Sequence, residues 1–182
     1  MRGVRRGAQD RRADAVRVGV RLVAEGGISS AVITGVAREI GVSQGYLFQL
    51  FGSKQGFLLA CLDELEELIR GTFARAAAQG LSASNPLATL GAAFRELVED
   101  GTVSGLWLQA SAVARSDEVV ASRLRALLSA VLGDITELAA IDDTALAEFT
   151  ARGALVLLLQ PIGIDFAPGT EAAIAALRRE ET

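Results

Sequence analysis

Apolar residues recur at three- and four-residue spacing along nearly all of this 182-residue chain, and only three prolines interrupt it. That period puts apolar side chains on one face of a helix, whereas a strand would alternate them every second residue. No segment alternates convincingly, so the reading is an all-α chain. The clearest stripes are Ala15, Val16, Gly19, Leu22 and Val23, then Phe57, Leu58, Cys61, Leu65, Leu68, Ile69 and Phe73, then Val120, Leu124, Leu127, Leu128, Val131 and Ile135.

Punctuation cuts these stripes into elements. A first helix is expected from about Arg11 to Glu25, stopped by Gly26-Gly27, with residues 1–9 disordered before it. A short helix follows over about Ile33–Ile40. Gly41 supplies the left-handed residue at its end, and Ser43 caps the next short helix, which Gly52 stops. Ser53 then caps a long helix from Lys54 to about Ala78. QGLSASN, residues 79–85, marks a break, and Asn85-Pro86 is a cap followed by proline at the first helical position. Four more helices are expected after that one, over about 104–115, 117–138, 143–160 and 169–180.

Composition removes whole classes of chemistry. The chain has no histidine and one cysteine, Cys61. That takes away the commonest general base, the commonest transition-metal ligand and any internal disulfide. There is no glycine-rich phosphate loop and no carboxylate pair in a recognisable setting, so no catalytic group, metal site or cofactor is nominated. The chain reads as not an enzyme. No secretory leader follows the basic N-terminus, and the densest apolar run, Ala154–Leu159, is far short of the roughly 20 residues of a membrane span. A cytoplasmic protein with no membrane partner is expected.

Charge is unevenly spread. The chain carries a formal net charge of −4. Residues 1–54 hold nine basic and four acidic groups, net +5, and the rest of the chain is net −9. A basic end on an acidic chain points to a nucleic-acid partner for that end.

The basic segment carries a motif. Two short helices joined by a glycine-containing turn, here Ile33–Ile40 and Ser43–Phe51, make a helix-turn-helix. Ala37 is small where the helices cross, and Val42 and Leu47 fill the space between them. The remaining face of the second helix is Gln44, Gly45, Tyr46 and Gln49. Amides there can pair with adenine edges, and a glycine permits close approach to a groove wall. Lys54, the chain's single lysine, follows the cap Ser53. A helix N-terminus beside an ammonium is a phosphate site, which sets register rather than sequence.

Residues from about Arg11 to Leu65 resemble the DNA-binding head of the TetR family of bacterial transcription regulators. The segments that carry the resemblance are LVAEGG and VAREIGVSQGYLFQLFGSKQGFL. It implies DNA contacts from Thr34, Arg38, Ser43, Gln44, Gly45, Tyr46, Phe48, Gln49, Ser53 and Lys54. It also implies an Ω-shaped dimer and a variable helical body that binds a small effector. Residues 1–54 are then the helix-turn-helix domain, and residues 55–182 the connecting helix with the effector-binding and dimerisation domain. The chain departs from the family's pattern at three points. Ala31 and Val32 stand where a phosphate-touching Thr is frequent, with Ser30 or Thr34 as substitutes. Phe48 stands where a Tyr hydroxyl is usual, and Leu50 where polar residues are common. The Arg-rich arm, residues 2–12, is a candidate to make up the lost phosphate contacts.

In the body, Phe94, Val98, Trp107, Ala110 and Leu127 are the candidate effector-binding residues, for a small and mainly apolar ligand. FTARGALVLLLQ is apolar nearly all round, and such a helix must be covered on every side. A partner subunit is the natural cover, so a homodimer through the last two helices is expected. Its two reading helices would demand a near-palindromic operator on double-stranded DNA. Two functions stay open: a DNA-binding transcriptional regulator, read as a repressor with an effector controlling its operator, or a helical small-molecule binding or interaction protein whose DNA-binding head no longer works.

Overall fold

A computed structural model describes residues 2–166 and 168–180. Among them are nine α-helices and no strand: α1 Arg2–Gly26, α2 Ser30–Glu39, α3 Gln44–Phe51, α4 Lys54–Gln79, α5 Pro86–Val98, α6 Thr102–Ala114, α7 Glu118–Ala139, α8 Asp143–Leu159 and α9 Thr170–Glu180. A short 3-10 turn, Gln160–Ile162, follows α8. The all-α reading holds.

Most boundaries fall where the punctuation put them. Gly27, Gly41 and Gly52 take φ of 67°, 70° and 76°, the left-handed values that end α1, α2 and α3. The Asn85 side chain accepts from the Ala88 N–H, and Pro86 opens α5. Two starts differ from expectation. Helix α1 runs back to Arg2, so residues 2–9 are helical and not disordered as the sequence suggests; Met1 lies outside the described residues. No proline separates them from Arg11, so nothing stops the helix from extending backwards. Helix α2 begins at Ser30, not Ile33, because Ser29 accepts from the Val32 N–H at 3.2 Å and caps it there.

The chain divides into two compact units. The first holds residues up to Glu67 together with Gly105–Leu127. Its core is Val16, Val23, Ile33, Val36, Leu47, Phe57, Leu58, Leu62 and Leu65, with Leu106 and Leu127 from the later segment. Helix α1 crosses α4 so closely that a Cβ on Gly19 would lie 2.3 Å from the Phe57 ring. A Cβ on Gly105 would lie 2.9 Å from the Ala24 carbonyl oxygen, so α6 also meets the end of α1 closely. Arg123 of α7 donates to Asp63 at 2.8 Å and pairs with Glu66 at 2.8 Å, both on α4. Cys61 is fully buried in this core. Burial pushes its thiol up to about 12, helped by the nearby Glu64 and Asp63 carboxylates, so the group stays an inert thiol.

The second unit holds Leu68–Ser104 and the residues from Leu128 on. Phe73 of α4 packs against Phe94 of α5 and Phe149 of α8, with ring centroids 6.1 and 6.5 Å apart. The fully buried Ser104 hydroxyl lies 2.6 Å from the Gln160 amide oxygen, pinning the end of α8. Val156 is the one buried residue of α8.

Candidate nucleic-acid interface

Helices α1, α2 and α3 pack on one another within the first unit. Leu47 of α3 is 2% exposed and turns inward, together with Ile33, Val36 and Ala37 of α2. The α2–α3 turn is held by its own backbone, with the Val42 N–H donating to the Ala37 carbonyl at 2.9 Å. The Ser43 hydroxyl oxygen accepts from the Tyr46 N–H at 3.1 Å, and so starts α3. The helix ends at Gly52, whose N–H donates to the Phe48 carbonyl.

With Leu47 committed to the core, the opposite face of α3 is left to solvent. Gly45 and Gln49 are exposed; Gln44, Tyr46 and Phe48 are half-buried. The side chains of Gln44, Tyr46 and Gln49 make no hydrogen bond among the described residues, so both amides and the phenol are unspent. A Cβ added to Gly45 would find nothing closer than the Ser43 hydroxyl at 3.9 Å. The molecule itself therefore has no packing reason for a glycine there.

On α2, Thr34 and Arg38 are both exposed and, four residues apart, share a stripe. The Thr34 hydroxyl donates back to the Ser30 carbonyl at 2.9 Å. Arg38 makes no ion pair among the described residues. By contrast, Arg21 grips both carboxylate oxygens of Glu39 at 2.8 Å, and that bond raises its already high pKa.

The Ser53-Lys54 turn is built as the sequence suggests and then used further. Ser53 accepts from the Gly56 N–H at 2.9 Å, capping α4. The Lys54 ammonium donates to the Ser30 hydroxyl at 2.6 Å. Lys54 and Ser30 are the first residues of α4 and α2, so this bond draws two helix N-termini together around one ammonium. Both ends carry unsatisfied N–H groups and partial positive charge, the setting in which an anion binds.

Three contacts here lie beyond sequence reasoning because their partners are far apart in the chain. Arg11 donates to the Ile40 carbonyl at 2.7 Å. The Arg12 guanidinium lies 4.7 Å from the centre of the Phe51 ring, which also meets Phe57 edge-on at 4.9 Å. Gln55 donates to Asp117 at 2.7 Å, and that bond leads the causes that hold the Asp117 carboxyl below its ordinary value.

The candidate effector residues divide between the two units. Phe94 lines a cleft of about 370 Å³ with Phe149 and Val156, where Arg95 and Arg152 are balanced by Glu148 and Glu171. Val98 lines a second cleft of about 380 Å³ with Val156, Gln160 and Phe166. Trp107, Ala110 and Leu127 line neither, and fall in the first unit. No group of three or more metal-binding side chains occurs among the described residues.

Residues 15–61 match the family described as bacterial regulatory proteins, tetR family. No curated protein sequence matches the chain significantly. Among solved structures, a Rhodococcus sp. protein assigned as a TetR-family transcriptional regulator superposes with a TM-score of 0.64 at 22% identity, covering 82% of this chain and 88% of its own. The multidrug binding protein EbrR, solved in complex with imidazole, superposes with a TM-score of 0.64 at 21% identity, covering 93% of this chain and 89% of its own. At such identities the structures establish a shared fold, while the head carries the family's sequence. The tetR family's model thus matches the head, residues 15–61, and the fold is one that a TetR-family structure shares.

Proposed function

We propose that the chain is a dimeric repressor that reads a near-palindromic operator through α3 and is controlled by a small effector in its helical body. One observation carries the DNA reading: the exposed face of α3 keeps Gln44, Tyr46 and Gln49 unspent, and Gly45 is open where no internal packing needs it. In this reading the two amides and the phenol contact base edges. Phe48 lies at the edge of the same face and meets the groove wall with its ring. Ser43, Thr34 and Arg38 flank them, with Arg38 reaching the backbone.

Lys54, Ser53 and Ser30 hold a phosphate at the joined N-termini of α2 and α4. Ser30 fills the role that the Ala31-Val32 departure leaves vacant. Lys54→Ala is expected to weaken binding to every duplex alike and to flatten the salt dependence by about one unit per head. Fluorescence anisotropy across a salt series measures this, and an unchanged slope would remove Lys54 from the phosphate set. Gly45→Ala is expected to leave folding intact or raise helix stability by up to ~1 kcal/mol. The same methyl should lower affinity for a selected duplex, and a variant that binds as well as the parent would show that no groove wall approaches there.

The body supports the rest. Clefts of about 370 and 380 Å³ beside Phe94 and Val98 are of a size that suits a small ligand. The likeness to EbrR, a multidrug binding protein, favours an effector role for them. Trp107, Ala110 and Leu127 remain candidates for a ligand that reaches the first unit. Residues 1–54 then act as the reading domain, and 55–182 as the connecting, effector and dimerisation domain, with the DNA placing the protein in the cytoplasm.

The segment Asp143–Ile162 is long and apolar enough by length and composition to cross a membrane, and only 6% of its most apolar window is buried. It carries Glu148 and Arg152 mid-helix, and a second copy of this chain is the cover that fits a regulator. The other open function, a small-molecule binder with a dead head, is not favoured, because the caps, the turn and the lysine of the head are all in place. Selection of bound sequences from random DNA tests the whole reading. A recovered site with two-fold symmetry supports it, and no enrichment at low salt would end it.

A further inference from the structure

Resting on the DNA-binding reading above, we infer that Arg11 and Arg12 are positioning residues for α3 and not phosphate contacts. The basic N-terminal segment invites the opposite view, since arginines beside a reading head are natural partners for a DNA backbone. The geometry assigns these two elsewhere. Both lie on α1; Arg11 reaches the turn between α2 and α3, and Arg12 reaches the last residue of α3.

Arg11 donates to the Ile40 carbonyl at 2.7 Å. Ile40 is the C-cap of α2, and Gly41 turns away from it with φ of 70°. A helix C-terminus exposes carbonyls that lack an internal partner and carries partial negative charge, so a guanidinium is well matched to it. The bond fixes the point from which the chain leaves α2 for α3. Arg12 lies over the ring of Phe51, the last residue of α3, at 4.7 Å. A cation over an aromatic face is attracted by the ring's quadrupole, and a planar guanidinium suits that role. Phe57 meets the same ring edge-on, with centroids 4.9 Å apart. Arg11 thus sets where the α2–α3 turn begins, and Arg12 helps set where α3 ends. Between them they fix the tilt of the face that carries Gln44 and Gln49.

The two roles predict different salt behaviour. A phosphate contact releases counterions, so its loss flattens the salt slope and weakens binding to all duplexes equally. A positioning contact leaves the phosphate count unchanged and costs the base contacts, so specific binding falls and non-specific binding does not.

The test compares Arg11→Met, Arg11→Gln, Arg11→Lys, Arg12→Met and the parent on two labelled duplexes. One is a sequence recovered by selection from random DNA, and the other is a scrambled duplex of equal length. Arg11→Gln drops the charge and ends two bonds short of the guanidinium's terminal nitrogens, so it should behave as Arg11→Met does. Arg11→Met and Arg12→Met are each expected to lose roughly tenfold on the selected duplex, with the scrambled duplex unaffected and the salt slope unchanged. Arg11→Lys, which keeps a donor of nearly the same reach, should recover most of the loss. A double-mutant cycle of Arg12→Met with Phe51→Leu should show the Arg12 effect vanishing once the ring is gone. Thermal unfolding of each variant identifies any that fails to fold; for such a variant the uncharged polar change, Arg11→Gln or Arg12→Gln, decides.

Parallel losses on both duplexes, with slopes flatter by about one unit per head, would overturn the inference, and so would variants that match the parent throughout. Failure of the parent to bind either duplex would instead defeat the DNA-binding reading itself.

Discussion

Leu158→Asp is expected to yield a folded monomer whose affinity for a two-half-site duplex has collapsed. Leu155, Leu158 and Ile162 are 36%, 56% and 72% exposed in the single chain. With the exposed Ala147, Ala151 and Ala154 they form one stripe along α8 and the turn that follows it. Val156 faces the other way and holds α8 against its own unit, so a charge at Leu158 leaves the protomer's core untouched. Across a two-fold interface each change counts twice. Losing the burial of one Leu per subunit costs ~3–6 kcal/mol, which is ~10²–10⁴-fold in the dimer constant. Operator affinity falls with it, because two linked heads bind far more tightly than one. Sedimentation velocity at micromolar protein reads the assembly directly. A parent chain that sediments as a monomer, or a variant that stays dimeric, would refute α8 as the interface. Ile174 of α9, 39% exposed, is the natural second site for the same experiment.

The second large effect comes from a single methyl. Gly56→Ala is expected to destabilise the protein and spoil DNA binding together. A Cβ at Gly56 would lie 2.2 Å from the carbonyl oxygen of Phe51 and 3.3 Å from its carbonyl carbon. These are backbone atoms of the last residue of α3, so no rotamer change relieves the clash. Either α3 or the start of α4 must move. Helix propensity alone favours alanine by ~1 kcal/mol, whereas forcing a methyl into packed backbone costs ~1–3 kcal/mol. The clash decides the sign. Displacing α3 also disturbs the Phe51 contacts with Arg12 and Phe57, and with them the reading face. Calorimetry and DNA titration on one preparation check both halves. A variant with a raised melting temperature and parental affinity would show that α3 and α4 do not need this close approach. Gly45→Ala makes the control, being the same substitution eleven residues earlier with open space around it.

The comparison of these two glycines shows how much was legible beforehand. From the sequence Gly45 reads as a point of close approach to a groove wall, and Gly56 draws no reading at all. Which of them is needed for packing, and which is open, depends on the carbonyl of Phe51 five residues away in chain and across a turn. The same limit applies to the arginines. Arg11 and Arg12 read as part of a basic arm, because net charge is visible in a sequence and a partner 29 or 39 residues away is not. The helix start at Ser30 was missed for a local reason. Ser29 and Ser30 are both cap-type residues, and Ala31-Val32 continue without a periodic signal strong enough to choose between them.

The sequence by itself determined the all-α architecture, the position of the helix-turn-helix and the caps and glycines that bound it. These rest on short-range rules: apolar spacing of three and four, side-chain oxygens that reach N–H groups three residues on, and a backbone twist that only glycine adopts cheaply. The tertiary structure alone decided that Lys54 bonds Ser30, that Gln55 holds Asp117, that Arg11 closes the end of α2 and that α8 leaves Leu155 and Leu158 exposed. Each of those is a contact, or the lack of one, between segments brought together by the packing of the cores, and pairings of that kind leave no period in the chain to read.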